Sequence, residues 1–408
     1  MGLAWLLPAA ASALTVLPAI KIDHFGYRPA DQKIAVITAN PGATIDVTRT
    51  SDGAVVYTIG AGITGPFDDS AGDSGDNPVY LADFTPFTTP GTYYLHSTAL
   101  GGDSYVFDIA PDVYNKLGAT VLKAMYIQRC GVLHLAAYTG TPWADPVVCH
   151  QDDQACLHNA VDNPSGTNWG PLDLSGGWHD AGDYNKYIGG NAPFNGDSGD
   201  AVFFLSTAFD LNATVWTDGQ TNIPESGNGI PDILDEVEVG LDWYLKMQRP
   251  GGGVLSIVHT PTSGNPPVPL STPPSADTGS RYYSSETPDS TALAGACLAL
   301  GARVLAPWDP GKAGTYQAAA VAAWGWLAAN VSGTVLLESK LWFAAELYRL
   351  NPAGPSATVA QAYVDGYAPW SVAWDCTSEW STFAPGVTLQ SHAWRAMIAY
   401  TFAAGATP

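Results

Sequence analysis

The hydrophobic period of this chain changes once, near Pro111, and the change splits its 408 residues into two fold classes. From about Ile20 to Ile109 apolar residues alternate in short runs. The clearest are IAVIT (34–38), IDVTRT (45–50), VVYTI (55–59), VYLADF (79–84), TYYLHS (92–97) and YVFDI (105–109). The gaps hold PG, SDG, TGP, TPG and GGD, all turn chemistry. Six or seven strands at that spacing predict an antiparallel immunoglobulin-like sandwich over 20–110. Beyond Pro111 the period becomes helical, so residues 111–408 read as a second, all-α domain. Eight helical stretches are expected, at 114–125, 198–211, 231–248, 288–306, 315–330, 335–350, 357–367 and 389–403. In 231–248, Ile233, Leu234, Val237, Leu241 and Leu245 share one face, with Pro231 at the first helical position. Thr287 is placed to cap the helix at 288–306. The connections 142–173 and 251–286 exceed the usual length and are candidates for function, with a low-complexity run at 261–274.

Charge narrows the range of partners. Lys+Arg 16 against Asp+Glu 38 gives a formal net charge of −22, which repels phosphate backbones and excludes a nucleic-acid binder. Charged residues are nevertheless only 13% of the chain, beside 14 Trp and 19 Tyr. That mixture suits a polar, uncharged ligand with flat apolar faces, such as a carbohydrate. The opening MGLAWLLPAAASALTVLPAI reads as a leader over 1–19 with an A-x-A cleavage site at Ala11-Ser12-Ala13, implying a secreted protein. Its charged n-region is absent, and a hydrophobic first strand is the alternative reading. Pro8 and Pro18 interrupt a stretch already shorter than ~20 residues, so no membrane span is expected. A soluble monomer is the expectation.

The densest polar cluster is GGWHDAGDYNKY, residues 176–187. Asp180 and Asp183, three apart among glycines, can share one water, with one carboxylate as general base and the other holding the water. Trp178 and Tyr184 beside them could supply a sugar-stacking platform, as could Trp143 and Trp169 from the long loops. By spacing alone an Asp/Gly turn capping a helix fits as well. Five cysteines stand at 130, 149, 156, 297 and 376, too scattered and odd in number for a disulfide scaffold. Three of them fall within 27 residues beside His150 and His158, which suggests a metal.

GGWHDAGDYNKY resembles the signature of glycoside hydrolase family 9, the inverting cellulase family, in the branch that begins with an immunoglobulin-like domain. IKIDHFGYRPADQKIAV, IPESGNGIPDILDEVEVGLDWYLKMQ and LWFAAELYRL resemble the same branch. The resemblance implies a multidomain chain, an all-β sandwich followed by an all-α (α/α)6-type barrel, and hydrolysis of β-1,4-linked glucans. By the family's pattern Asp183 is the general base and Asp180 helps to hold the nucleophilic water. Inversion also needs a carboxylic acid ~6.5–9.5 Å from the base. The family's Asn-Pro and His-Arg segments ahead of that Glu are not found, and Glu338, Glu346 and Glu379 are unassigned candidates. With eight helices against the family's twelve, the expectation is a catalytic domain lacking its C-terminal part.

Cys130, Cys149, His150 and His179 supply two thiolates and two imidazoles, the soft tetrahedral set that suits Zn²⁺. The resemblance points the same way, since this branch carries a structural zinc. A Cys130–Cys149 disulfide and the competing ligands Cys156 and His158 are the alternatives. Glu225, Asn228 and Asp232 around glycines suit Ca²⁺, with a plain helix start as the other reading. A second calcium site of the family would fall on Glu338-Ser339 and Asp375, where one carboxylate is lost. Arg281-Tyr282 and Tyr283 are expected on a loop over the cleft. The functions in view are an endo-β-1,4-glucanase, an exo-acting glucosaminidase-like glycosidase, and a non-catalytic carbohydrate-binding or inactive truncated homologue.

Overall fold

The computed structural model describes residues 14–72, 75–161, 163–180, 182, 184–189, 197–260, 273–331 and 337–352, with only the backbone at 197 and 337–339. Asp183, Asp375, Glu379, the side chain of Glu338 and the expected helices at 357–367 and 389–403 lie outside it. The chain divides into two compact units, Met1–Val121 and Leu122–Pro408.

The first unit is a two-layer sandwich. One sheet orders β1 (Ile20–Lys21), β2 (Ile34–Ile37), β6 (Val79–Asp83) and β5 (Ile63–Phe67). The other orders β4 (Val55–Ile59), β3 (Ile45–Arg49), β7 (Gly91–Ser97) and β8 (Gly102–Asp103), with β9 (Phe107–Ile109) also on β7. Alternation does the sorting: Tyr93, Leu95 and Ser97 of β7 point inward and are buried. Ile37, Ile45, Val47, Phe84 and Leu95 form the fully buried centre. Tyr27 meets Phe84 and Phe107 edge-on at 5.3 and 5.6 Å, a favoured geometry for ring quadrupoles.

Seven α-helices stand among the described residues: α1 (Asn115–Ile127), α2 (Ala136–Thr139), α3 (Asp197–Leu211), α4 (Asp232–Met247), α5 (Pro288–Leu305), α6 (Pro310–Asn330) and α7 (Leu337–Leu350). None is long and apolar enough to cross a membrane. In α4, Ile233, Leu234, Val237 and Leu241 are buried together, each burial stabilising by roughly 1.5–3 kcal/mol. Pro231 sits one residue earlier than expected, at the N-cap, where its carbonyl accepts the Leu234 N–H. Asp232 and Asp235 in the first turn and Lys246 in the last suit the helix dipole. Thr287 caps α5 by accepting the Ser290 N–H at 3.1 Å. α6 begins five residues before the expected start, because Asp309 accepts the Lys312 N–H and Pro310 takes the first helical position. α5 is buried on nearly every side and packs against α3, α4, α6 and α7.

A small sheet not anticipated from the sequence holds the motif region. Its order is β10 (Leu157–His158), β13 (Tyr282–Tyr283), β12 (Ile257–His259) and β11 (Lys186–Tyr187). β11 carries the end of the motif, while β10 and β12–β13 come from the two long connections. Strands of two or three residues leave no period to read.

Candidate active site and metal cluster

The motif segment is anchored by backbone pairing to the chain just after α1. The Cys130 N–H donates to the Gly177 carbonyl at 2.8 Å and the His179 N–H to the Gln128 carbonyl at 2.9 Å. That pairing sets Arg129 opposite Trp178 and brings the segments carrying Cys130 and His179 side by side. Cys149 and His150 arrive from the long connection, His150 in left-handed backbone (φ 48) at the head of a 3₁₀ turn.

Cys130, Cys149, His150 and His179 are all buried, and one donor atom from each lies within 4.8 Å of the others. Their separations test the metal reading. A tetrahedral Zn²⁺ with Zn–N ≈ 2.05 Å and Zn–S ≈ 2.3 Å has edges of about 3.3 Å for N···N and about 3.6 Å for S···N. Here His150 Nδ1 and His179 Nε2 are 3.2 Å apart. Cys130 Sγ lies 3.6 Å from His150 Nδ1, and Cys149 Sγ lies 3.7 Å from His179 Nε2. The donor set fits the ion. Burial pushes the His179 pKa down and so favours the neutral ring a metal requires. Burial raises the Cys130 thiol, while the hydrogen bond from Cys130 lowers Cys149. The cysteines here are free thiols. Cys156 is buried apart, 3.8 Å from an Asp153 oxygen, and the His158 ring lies tilted against Tyr283, so the competing ligands are not assembled.

Behind the cluster lies an ion network that sequence reasoning missed. Asp153 is wholly buried between Lys186 Nζ at 2.7 Å and Arg281 Nε at 3.0 Å. Burial would raise this carboxyl, but the two cations overcome it and hold the pKa down at about 2. Lys186 also donates to the carbonyls of Leu174 and Gly176, and Arg281 to that of Tyr184. Arg281 is therefore a buried clamp, which corrects the expectation that it lies on a loop over the cleft. In sequence the three charges stand in polar segments, CHQDDQAC, GDYNKY and DTGSRYYSS, which give no signal of their burial.

Asp180 is exposed beside a pocket of about 190 Å³, lined also by Met125, Gln128, Trp178, His179, Tyr187 and Ser198. Its backbone N–H donates to the Asn185 carbonyl at 2.9 Å, closing the motif turn. The proposed aromatic platform is corrected. Trp178 is 4% and Tyr184 8% exposed, too closed to offer a ring face to a sugar. The Trp178 Nε1–H donates to Glu236, itself paired with Arg129, and the Tyr184 ring packs over His150 and His179 as a wall of the metal cluster. Trp169 remains partly open at 39% and Trp143 at 65%.

The calcium trio takes separate protein partners, so the site is not assembled. Glu225 pairs with Arg129 at 2.8 Å, and Asn228 donates to Asp235 at 2.8 Å. Asp232 accepts the Gly219 and Thr221 N–H groups and the Ser226 hydroxyl, which holds the loop before α4. Glu346 is buried against Trp342 and Arg303, inside the helix packing.

A sequence profile of glycosyl hydrolase family 9 matches residues 114–402. The chain belongs to that family. A profile of the cellulase N-terminal ig-like domain matches residues 16–101 of the same family 9 chain. Endoglucanase D of Acetivibrio thermocellus is 31% identical over 346 residues, covering 81% of this chain and 51% of the relative. A xyloglucan-specific endo-beta-1,4-glucanase of Bacteroides ovatus is 32% identical over 265 residues, covering 64% and 42%. The chain thus spans about half the length of the curated relatives it matches. A metagenome-derived family 9 endoglucanase superposes with a TM-score of 0.72 at 31% identity, covering 95% of this chain and 69% of that one. A structure described as a Zn-binding triple mutant of the family 9 endoglucanase J30 gives 0.72 at 26%, covering 93% and 68%.

Proposed function

We propose that this family 9 chain hydrolyses β-1,4-glucosidic bonds of cellulose or a related β-glucan with inversion. The carrying observation is the exposed Asp180 carboxylate, set at the mouth of a pocket by a motif whose neighbouring His179 belongs to a buried ligand cluster. Asp183 draws the proton from the attacking water and Asp180 holds that water in line. The leaving oxygen requires a protonated carboxyl group ~6.5–9.5 Å from the base. Endoglucanase relatives support a glucan substrate and internal cleavage. Asp183→Ala in the full chain should abolish reducing-sugar release from a soluble cellulose derivative while the far-UV dichroism stays parental. Retained turnover overturns the proposal. Binding of cello-oligosaccharide without turnover by the parent would instead select a carbohydrate-binding role. A panel of cellulose derivative, xyloglucan and chitosan oligosaccharide, read by viscosity and by product length, separates endo from exo action and glucanase from glucosaminidase.

Cys130, Cys149, His150 and His179 would hold Zn²⁺ in a structural site, supported by the edge lengths above. With four protein ligands the ion supplies cross-linking of three chain segments and no open position for chemistry. Metal analysis of purified protein should give one zinc per chain, and a metal-free, fully folded sample overturns this part. The apolar run ending at Ala11-Ser12-Ala13 supports export, which N-terminal sequencing of protein from the culture medium tests. The expected leader is shortened from 1–19, because Val16 pairs with Asp103 and Leu17 packs on the sandwich core.

A further inference from the structure

The two histidines of the cluster differ at the ring nitrogen facing away from the thiols. His179 Nδ1 is buried with no hydrogen-bond partner among the described residues. His150 Nε2 lies 3.2 Å from Asp277 Oδ2, with side chains only 1% and 8% exposed. The other Asp277 oxygen accepts the Gly279 N–H at 3.0 Å, so a local turn aims the carboxylate at the ring.

We propose that Asp277 is the outer partner of the metal cluster, accepting a hydrogen bond from the Nε2–H of His150 and so leaving the Nδ1 lone pair for the ion. This rests on the zinc reading above. A neutral imidazole carries one N–H, and a proton on Nδ1 would point it at Cys130 Sγ and His179 Nε2, closing the ligand position. A carboxylate on Nε2 forbids that tautomer. It also makes the ring a stronger donor, as carboxylate–histidine–zinc triads do. Charge supports the assignment. With a dication bound, the two thiolates, Asp153 and Asp277 face the ion, Lys186 and Arg281, so the Asp277 carboxylate is buried with cationic partners around the cluster. Asp277 also stands four residues before Arg281, so one segment carries both the outer partner of the metal and the clamp on Tyr184.

The test is Zn²⁺ affinity of the full chain, measured by competition with a chromophoric chelator. Asp277→Asn and Asp277→Ala should each weaken binding about 10–100-fold, the Ala variant at least as much, since an amide oxygen still accepts the Nε2–H. Asp145→Asn is the control, because Asp145 holds Ser275 of the same segment at 2.9 Å without a hydrogen bond to His150. It should keep parental affinity. Affinities within twofold of the parent for both Asp277 variants overturn the proposal, as does an Asp145→Asn loss as large as that of Asp277→Ala. A parent chain that takes up no zinc overturns the metal reading itself, and the inference with it.

Discussion

Arg281 donates an Nη–H to the carbonyl oxygen of Tyr184 at 3.0 Å, and Tyr184 holds left-handed backbone (φ 55) in the middle of the DAGDYN motif. A bulky residue at positive φ is costly and persists only where its surroundings over-determine it. Arg281 supplies part of that constraint because Asp153 fixes its guanidinium from the other side. Lysine keeps the charge but cannot span both partners with a rigid fork. Arg281→Lys should therefore lower kcat about 100-fold through misplacement of the motif carboxylates, with KM changed far less. Steady-state kinetics on a soluble glucan read this; an unchanged kcat in a folded variant refutes it.

Asp153 gives the stability a defined acid limb. Its folded pKa of about 2 lies below the ordinary 3.8, so the ionised form is favoured by the fold. That contribution is fully present above about pH 4 and is lost as pH falls toward 2. It amounts to about 2 kcal/mol for a shift of this size. Asp153→Asn leaves Lys186 and Arg281 uncompensated and should cost about 3–5 kcal/mol at pH 7. In urea unfolding the gap between parent and variant should narrow from pH 5 to pH 2.5.

Asp235 works in the opposite sense. Burial, reinforced by Glu225, Glu238 and Asp232, raises its pKa to about 7, and its Oδ2 has no hydrogen-bond partner among the described residues. A carboxyl raised above 3.8 stabilises the fold fully below about pH 4, and that stabilisation is lost as pH rises through 7. Asp235→Asn should remove this decline, leaving a variant whose stability relative to the parent grows from pH 4 to pH 8. A thermal-unfolding series over that range that ran parallel for the two proteins would count against it.

Much of this was legible because period and spacing are local. β7 and α4 announce themselves by which residues recur, and Thr287 by its place before Pro288. The grouping of Cys130, Cys149, His150 and His179 was legible as chemistry, since two thiols and two imidazoles near one motif make a candidate donor set, and the structure brings them within 4.8 Å of one another. Asp153, Lys186, Arg281 and Asp277 were not, because their pairing depends on long connections meeting across the β10–β13 sheet, and short strands carry no period. Trp178 and Tyr184 show the converse: their neighbours suggested a sugar platform, but burial against Glu236 and the two histidines decides their role.

Gly240 on α4 is where the helix yields to the motif. A Cβ there would lie 2.4 Å from Trp178 Cζ3, and the indole is walled in by Glu236 on the same helix, with its Nε1 bonded at 3.3 Å. Alanine gains about 1 kcal/mol of helix propensity over glycine. Overpacking a filled core costs typically 1–3 kcal/mol, and at 2.4 Å the ring has to shift. The clash should win, so Gly240→Ala lowers stability and, by shifting Trp178, disturbs the adjacent His179 and weakens zinc uptake. Gly314 on the exposed face of α6 has no atom within 4 Å of the same position, and Gly314→Ala should raise stability by about 0.5–1 kcal/mol. Two glycine-to-alanine changes thus move thermal unfolding in opposite directions, with only the first altering metal affinity. Stabilisation by both would show that Trp178 is not held against α4.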